Sequence, residues 1–472
     1  MSDEELANLS RADLETALRR ALARIGELEQ QLGQGRVPTP PVKTPENSSV
    51  PPAKGWKRAR PGGDGTTPSR GGAKHGHAGK SRLRKAIPDL QFECRPTTCG
   101  GCGAALPVQG GKRISRRQMT ELVPLQPVVI EARRVRVRCP TCQQTTAGQY
   151  PEGFGQVGSF GPRLLALVGL LHEEQHIAYG RLVGLLQTLF GLQISEGALV
   201  AAVQRLGTVL APAAKTIGEA VRDAPVVGSD ETSARVGGAT WWEWVFQTPA
   251  AAYHTIQRRR NRAVVEDFLE EAEPEVWVSD LWGPQLGAPT DAYQICLAHQ
   301  LRDLQYAQEW ETAAKQALER AWAERLAALL RRAIQTRHEE QAGRLAASAF
   351  VAAVTAIEQE CAALLAEALR PGASAKLQRR YCAHRAGLLT FLARADVPPT
   401  NNASEQSLRP SVIHRQVLGA FRSDDGPTTD AIFRTVADTA RKRSEDLFKQ
   451  LHAALVPFQL LTAHYAFASS NR

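Results

Sequence analysis

A chain of 472 residues is too long to close around one core, so two to four domains are expected. Apolar residues make up 43% and charged residues 22%, ordinary values for a globular protein, while 58 Lys and Arg against 48 Asp and Glu leave a net charge of +10. That excess favours a polyanionic partner, because phosphate neutralisation is the main sequence-independent source of nucleic-acid affinity.

The polar, acidic opening MSDEEL does not resemble a secretory signal, and no apolar run approaches the roughly 20 residues of a membrane span. Eight cysteines in so long a chain do not resemble a disulfide scaffold. A cytoplasmic protein with no membrane partner is expected.

Residues 1–32 read as a helix, in which Leu14, Leu18, Ala21, Ile25, Leu28 and Leu32 alternate four and three apart. The seam fits either self-association into a homo-oligomer or packing on the protein's own domain. Residues 33–90 lose the apolar pattern and fill with Pro, Gly and Ser, the composition of a linker. Between Lys54 and Lys85 it carries ten basic residues and one acid. Lys57, Arg58, Arg60, Lys80, Arg82, Arg84 and Lys85 are therefore candidate phosphate contacts, the alternative being a solubilising spacer.

Residues 91–150 hold Cys99-Gly-Gly-Cys102 and Cys139-Pro-Thr-Cys142, two C-x-x-C pairs separated by 36 residues. Two such turns offer the four thiolates of a structural zinc site, with VVIEARRVRVRC available for the hairpin between them. Cys94 has no matched partner, and Cys296, Cys361 and Cys382 are scattered singly, as small apolar core groups are.

Residues 155–215 are helical, with Ser195 as N-cap after a turn at Gly191. They fit a helix-turn-helix that reads DNA or a packing bundle equally well. Five short β-like runs follow, APVVGSD, ATWWEWVF, AAYHTIQ, VWVSD and AYQICLAH, then helical sequence over 305–395 and more helices after VPPTNN. Residues 222–445 thus read as a mixed α/β domain with a helical insertion, followed by a C-terminal helix or tail at 446–472.

Two acids, Asp230 and Asp280, stand where apolar strands end. Neighbouring strand-end carboxylates repel unless a cation neutralises them, and magnesium suits such oxygen ligands. Strand-end aspartates also simply cap turns. Glu405, in Asn402-Ala-Ser-Glu405, fits a capping box as well as it fits catalysis, and Glu231, Asp303 and Glu309 compete for the role of third acid.

Several segments together resemble transposases of the insertion-sequence-66 family, members of the DDE group with a ribonuclease-H-like catalytic domain. They are the linker GGAKHGHAGKSR, the double C-x-x-C module, SDETSARV with WWEWVF, VSDLWG, CLAHQLRDL and PPTNNASEQSLRPSVIHRQVLGAFRSDDG, in the family's order. The resemblance implies that Asp230, Asp280 and Glu405 are the catalytic triad holding two Mg2+ or Mn2+ ions, with the insertion inside the 124 residues between the last two acids. It implies hydrolysis of a phosphodiester at the element's ends and attack of the freed 3′-hydroxyl on target DNA. It implies double-stranded DNA as partner, a place at the bacterial nucleoid, and accessory proteins from the same element. His299 and Arg302, near the end of a predicted strand, are candidate contacts to DNA or the scissile phosphate. Leu297 departs from the aromatic residue usual in that motif, and the match loosens after Gly426. A transposase-derived DNA-binding protein without cleavage activity is the alternative; a hybrid-cleaving nuclease of the same fold fits the zinc module poorly.

Overall fold

The computed structural model describes residues 40–44, 47, 84–112, 114–122, 126–150 and 160–455. The expected coiled coil at 1–32, most of the basic linker with Lys57, Arg58, Arg60, Lys80 and Arg82, and the end of the tail at 456–472 lie outside the described residues. Arg84 and Lys85 are described and exposed. Lys85 forms a salt bridge with Asp89 at 2.5 Å.

In the cysteine module the strands are short: β1 (Arg136–Arg138) pairs antiparallel with β2 (Thr145–Ala147). The hairpin therefore encloses the second C-x-x-C pair instead of joining the two.

Helices α1 (Pro162–Gly169), α2 (Tyr179–Phe190) and α3 (Glu196–Arg222) follow, with a π-helical turn at Leu170–Glu174 after α1. Gly191 ends α2 in left-handed backbone at φ 66°, and the Ser195 hydroxyl accepts from Ala198 N at 3.3 Å to cap α3. Their apolar faces, including Leu165, Leu182, Leu186, Leu199 and Leu206, share a core with Phe433, Ala437 and Leu451 from the C-terminal end. Residues 160–215 thus pack as helices on a shared core. α3 and a later helix, Ala347–Ala366, are long and apolar enough to cross a membrane, a length that broken apolar runs did not suggest. α3 spends its apolar face on this core.

All five β-like runs are strands. β3 (Val226–Val236), β4 (Ala239–Gln247) and β5 (Ala252–Gln257) form an antiparallel meander, while β6 (Val276–Ser279) and β7 (Ala292–Ile295) add in parallel, giving the order β5-β4-β3-β6-β7. β3 runs past Asp230 to Gly237-Gly238, where φ values of 53° and 83° make the two-residue turn that only glycine adopts freely. AYQICLAH is strand only to Ile295, and Leu297 already begins a helix.

Side chains alternate across the sheet. Val227 and Trp277, paired on β3 and β6, join Trp244, Phe246 and α4 (Arg262–Leu269) on one face. Val276, Val278 and Ile295 turn to the other. There, after the short α5 (Gly283–Leu286), lie α6 (Leu297–Ala313), α7 (Ala317–Gln341), α8 (Ala347–Ala366), α9 (Ala373–Ala383) and α10 (Thr390–Ala393). Trp322, Leu326, Leu330, Tyr381 and Phe391 of this group share one core with β6 and β7. The helical insertion therefore closes the sheet and is not a separate body, which suits parallel strands buried on both faces.

α11 (Asn402–Leu418), α12 (Asp425–Lys442) and α13 (Leu447–Ala454) end the described chain. α11 lies along β4 through a stripe at helical spacing: Ser404 meets Gln247, Leu408 clusters with Val245, and Ser411 and Arg415 reach Glu243. A Cβ on Gly228 would lie 2.4 Å from Gln247 Nε2 and 3.1 Å from Ser404 Oγ. That amide is tethered at both ends, to Ser404 and to Lys442 Nζ, so it cannot swing aside cheaply. Gly228→Ala should therefore destabilise the protein by about 1–3 kcal/mol, read by denaturant unfolding. A neutral substitution would mean that α11 is not seated on β3.

Candidate active site

β3 and β6 run parallel with Gly228 opposite Val278, so Asp230 and Asp280 each stand two residues beyond the same rung. Neighbouring strands are about 5 Å apart, which brings the two carboxylates side by side. Only Asp280 follows a strand end; Asp230 sits inside β3, held opposite Val245 of β4.

The third acid arrives on a helix. Asn401, just before α11, donates its side-chain amide to Ser229 O at 2.8 Å, accepts from Ser404 Oγ at 2.7 Å, and gives its backbone N–H to Cys296 Sγ at 3.1 Å. These bonds pin the first turn of α11 to β3 and to the start of α6, and Glu405 follows next to the Ser404 stripe. The capping box does not form, because the N-cap is Asn401 and no side chain caps the helix. Glu405 Oε1 instead lies 3.6 Å from His299 Nε2 and 3.8 Å from Arg302 Nη2. His299 and Arg302 are thus one turn apart on α6, not at a strand end, and both face Glu405.

The competing acids are taken. Glu231 accepts from Arg260 at 2.8 Å and from Gln285 at 2.7 Å, Asp303 pairs with Arg380, and Glu309 accepts from Asn47 at 2.5 Å. By contrast, Asp280 Oδ1 and Glu405 Oε1 are buried without a hydrogen-bond partner. Asp230 Oδ1 accepts from the backbone N–H of Glu231 at 2.9 Å.

Burial and then the charges of Glu231, Asp280 and Glu405 push Asp230 well above the usual carboxylate range. Burial and then Glu231 push Asp280 up to about 6, with Arg260 opposing. Burial, and then Arg302, push His299 down, so it is neutral near pH 7. Hard oxygen donors, mutual repulsion and orphaned oxygens together fit a divalent cation.

Two features went unread in the sequence. Arg260, from the run QRRRNR, stands 4.2 Å from each of the Trp242 and Trp282 rings while it holds Glu231. Cys296 is buried, as expected, but its sulfur also lies within 4.8 Å of ligand atoms of His299 and Glu405. Cys361 is buried too, whereas Cys382 is exposed.

The two cysteine knuckles are built alike. Cys99 N bonds Ala104 O and Gly103 N bonds Cys99 O; Cys139 N bonds Gln144 O and Gln143 N bonds Cys139 O. Gly103 and Gln143 both have positive φ, 73° and 60°, and Thr98 bridges Ala105 as Arg138 bridges Thr145. Backbone N–H groups of Cys102 and Gly101 push the Cys99 thiol down, and those of Cys142 and Thr141 do so for Cys139. The knuckles stand apart: among the described residues, groups of three ligand atoms within 4.8 Å of one another include none of these thiols.

A family model described as the transposase IS66 family matches residues 157–429, more than half of the chain. The chain belongs to that family. A second model, the zinc-finger binding domain of transposase IS66, matches residues 96–143 and takes in both knuckles. No curated protein matches. Membership in the IS66 family makes this chain a transposase by kinship and implies DNA binding. The matched region runs from before α1 into α12, so it contains the helical bundle as well as the sheet and all three acids.

A carboxylate raised in the folded state costs stability above its folded pKa and nothing below its unfolded one. Ionising Asp280 therefore weakens cation-free protein as pH rises from about 4 to about 6. A divalent cation should relieve that cost. The thermal upshift given by magnesium or manganese should be larger at pH 7.5 than at pH 5, and Asp280→Asn should flatten this dependence. Equal upshifts at both pH values in wild type would refute it.

Proposed function

We propose that this IS66-family protein cuts and joins DNA as a DDE transposase. In this reading Asp230, Asp280 and Glu405 hold two magnesium or manganese ions. One observation carries it: two aspartates level on adjacent strands stand near enough to Glu405 for its charge to raise both, and its Oε1 is orphaned, while the competing acids nearby are paired. Three antiparallel strands continued by two parallel ones, with the third acid on a helix after a long insertion, support a ribonuclease-H-like domain.

When bound, the ions supply Lewis-acid activation of a water or 3′-hydroxyl and neutralise the phosphate. The chain's own residues set the stage. The β3–β6 register fixes the spacing of Asp230 and Asp280. Arg260, clamped between Trp242 and Trp282, keeps Glu231 engaged and tempers Asp280. Arg302 balances Glu405, and neutral His299 leaves that carboxylate's charge for a cation. On a DNA substrate the same imidazole and guanidinium face the scissile phosphate. The two knuckles, apart here, are assigned by the zinc-finger match to one zinc that would draw their four thiols together, and the seam at 1–32 is assigned to self-association.

Asp230→Asn, Asp280→Asn or Glu405→Gln should each reduce cleavage and strand transfer to background while folding and DNA binding persist. If Glu405→Gln joined element ends at wild-type rate, the third assignment would fail. The basic arm is assigned to DNA phosphates. Deleting residues 54–85 should then weaken binding to all sequences alike and flatten the salt dependence by roughly 4–5 units of log affinity per log salt, for about five contacts. An unchanged slope would make the arm a spacer.

A further inference from the structure

The π-helical turn Leu170–Glu174, α11 and α12 enclose a second set of ligand-type side chains that the proposed reaction does not use. Glu173 is 4%, His414 5% and Asp430 2% exposed. One ligand atom from each lies within 4.8 Å of the others. His414 Nδ1 is 4.0 Å from Glu173 Oε2 and 3.7 Å from Asp430 Oδ1. These separations are too long for hydrogen bonds, and neither oxygen has a nitrogen or hydroxyl partner, although the two carboxyl groups stand close enough to share a proton. They suit two donors of one ion, because metal bonds of about 2 Å set donors roughly 3–4 Å apart.

Arg434 is the cation already present, yet it leaves both carboxylate oxygens without a hydrogen bond. Its Nη2 donates to the Glu173 backbone carbonyl and stands at the 3.5 Å limit from His414 Nδ1, its Nη1 donates to Glu174, and its Nε is unpaired 3.5 Å from Asp430 Oδ1. Two further imidazoles border the cluster. His172 Nδ1 bonds Ile177 O at 2.8 Å, leaving Nε2 3.9 Å from Glu173 Oε1. A backbone carbonyl of this sort is the usual partner that orients a metal-binding histidine. His176 has a buried, unpartnered Nδ1, its ring 5.5 Å from that of His414, on left-handed backbone at φ 54° that is uncommon outside glycine. A π-turn and a left-handed histidine in one loop are local distortions of the kind found at functional sites.

We propose that Glu173, His414 and Asp430, completed by His172, bind a divalent transition metal of the zinc and cobalt class. Mixed imidazole and carboxylate donors favour such an ion over magnesium. It would join the turn after α1 to α12 and to α11, the helix whose first turn carries Glu405. The catalytic acids contribute none of its ligands, so the proposal stands apart from the transposase reading.

The test uses full-length protein carrying Asp280→Asn, stripped with a chelator and reloaded with Co2+. Two tight equivalents are expected: one with the intense charge-transfer absorption of thiolates, one with only weak visible bands. Adding Cys99→Ser and Cys139→Ser should remove the first and leave the second. Adding Glu173→Gln instead should remove the second and leave the first. Because Glu173→Gln can unfold the bundle, the cysteine variant also serves alone: chelation should lower its melting temperature by several degrees, and Co2+ should restore it. A cysteine variant that retains no tight cobalt, with a melting temperature indifferent to chelator, overturns the site; a shared proton between the two carboxylates then suffices.

Discussion

Three carboxylates gathered at one partly buried corner repel each other, and the surrounding architecture holds them there while leaving an oxygen of Asp280 and one of Glu405 without a hydrogen bond. Raising Asp280 from the ordinary 3.8 to about 6 corresponds to roughly 3 kcal/mol of destabilisation of its charged form. Such strain persists only if neighbouring contacts outweigh it. Asn401 alone makes three buried polar contacts at the junction of β3, α6 and α11, each worth about 1 kcal/mol. Trp244 and Trp277 are fully buried beneath the strands that present the aspartates. Glycine at 228 lets α11 approach closely enough for the Asn401 contacts to form.

Much of this was legible in the chain because it is local. The apolar runs ending in Ser-Asp marked two strands, and helix-forming composition marked the helices at 160–210 and those of the insertion. What stayed hidden depends on long-range partners. Whether Glu405 caps its helix or faces a site is decided by Asn401 reaching Ser229, 172 positions away, and no local pattern encodes that. AYQICLAH looked like strand throughout because a short apolar run has no period of its own; packing ends it at Ile295 and turns His299 and Arg302 onto a helix. Arg260 was one arginine in a basic run until two tryptophans closed on it. Cys296 was a lone cysteine until Asn401 and Glu405 arrived beside it.

The cysteine module makes the opposite point, since each knuckle is settled within a few residues. The repeat extends to the awkward position, where Gly103 is matched by Gln143 in left-handed backbone. Glutamine bears a conformational cost of about 1 kcal/mol there. Its side chain donates to Pro140 O at 2.8 Å, and its carbonyl accepts from Arg138 at 3.1 Å, which offsets that cost within the hairpin.

The shared core between the insertion and the parallel strands bears on how copies of such a gene decay. If the helices from α6 to α10 formed a separate body, an in-frame deletion could discard them and leave a folded, inert competitor for element ends. Here Val276, Val278 and Ile295 would lose their cover together with Trp322, Leu326 and Tyr381. A deletion of that kind yields a misfolded chain destined for proteolysis, not a silent rival. Under the proposed assignment, point changes at the acids would leave a protein that still occupies DNA, so inhibitory relatives of this chain would arise by substitution and keep nearly its full length.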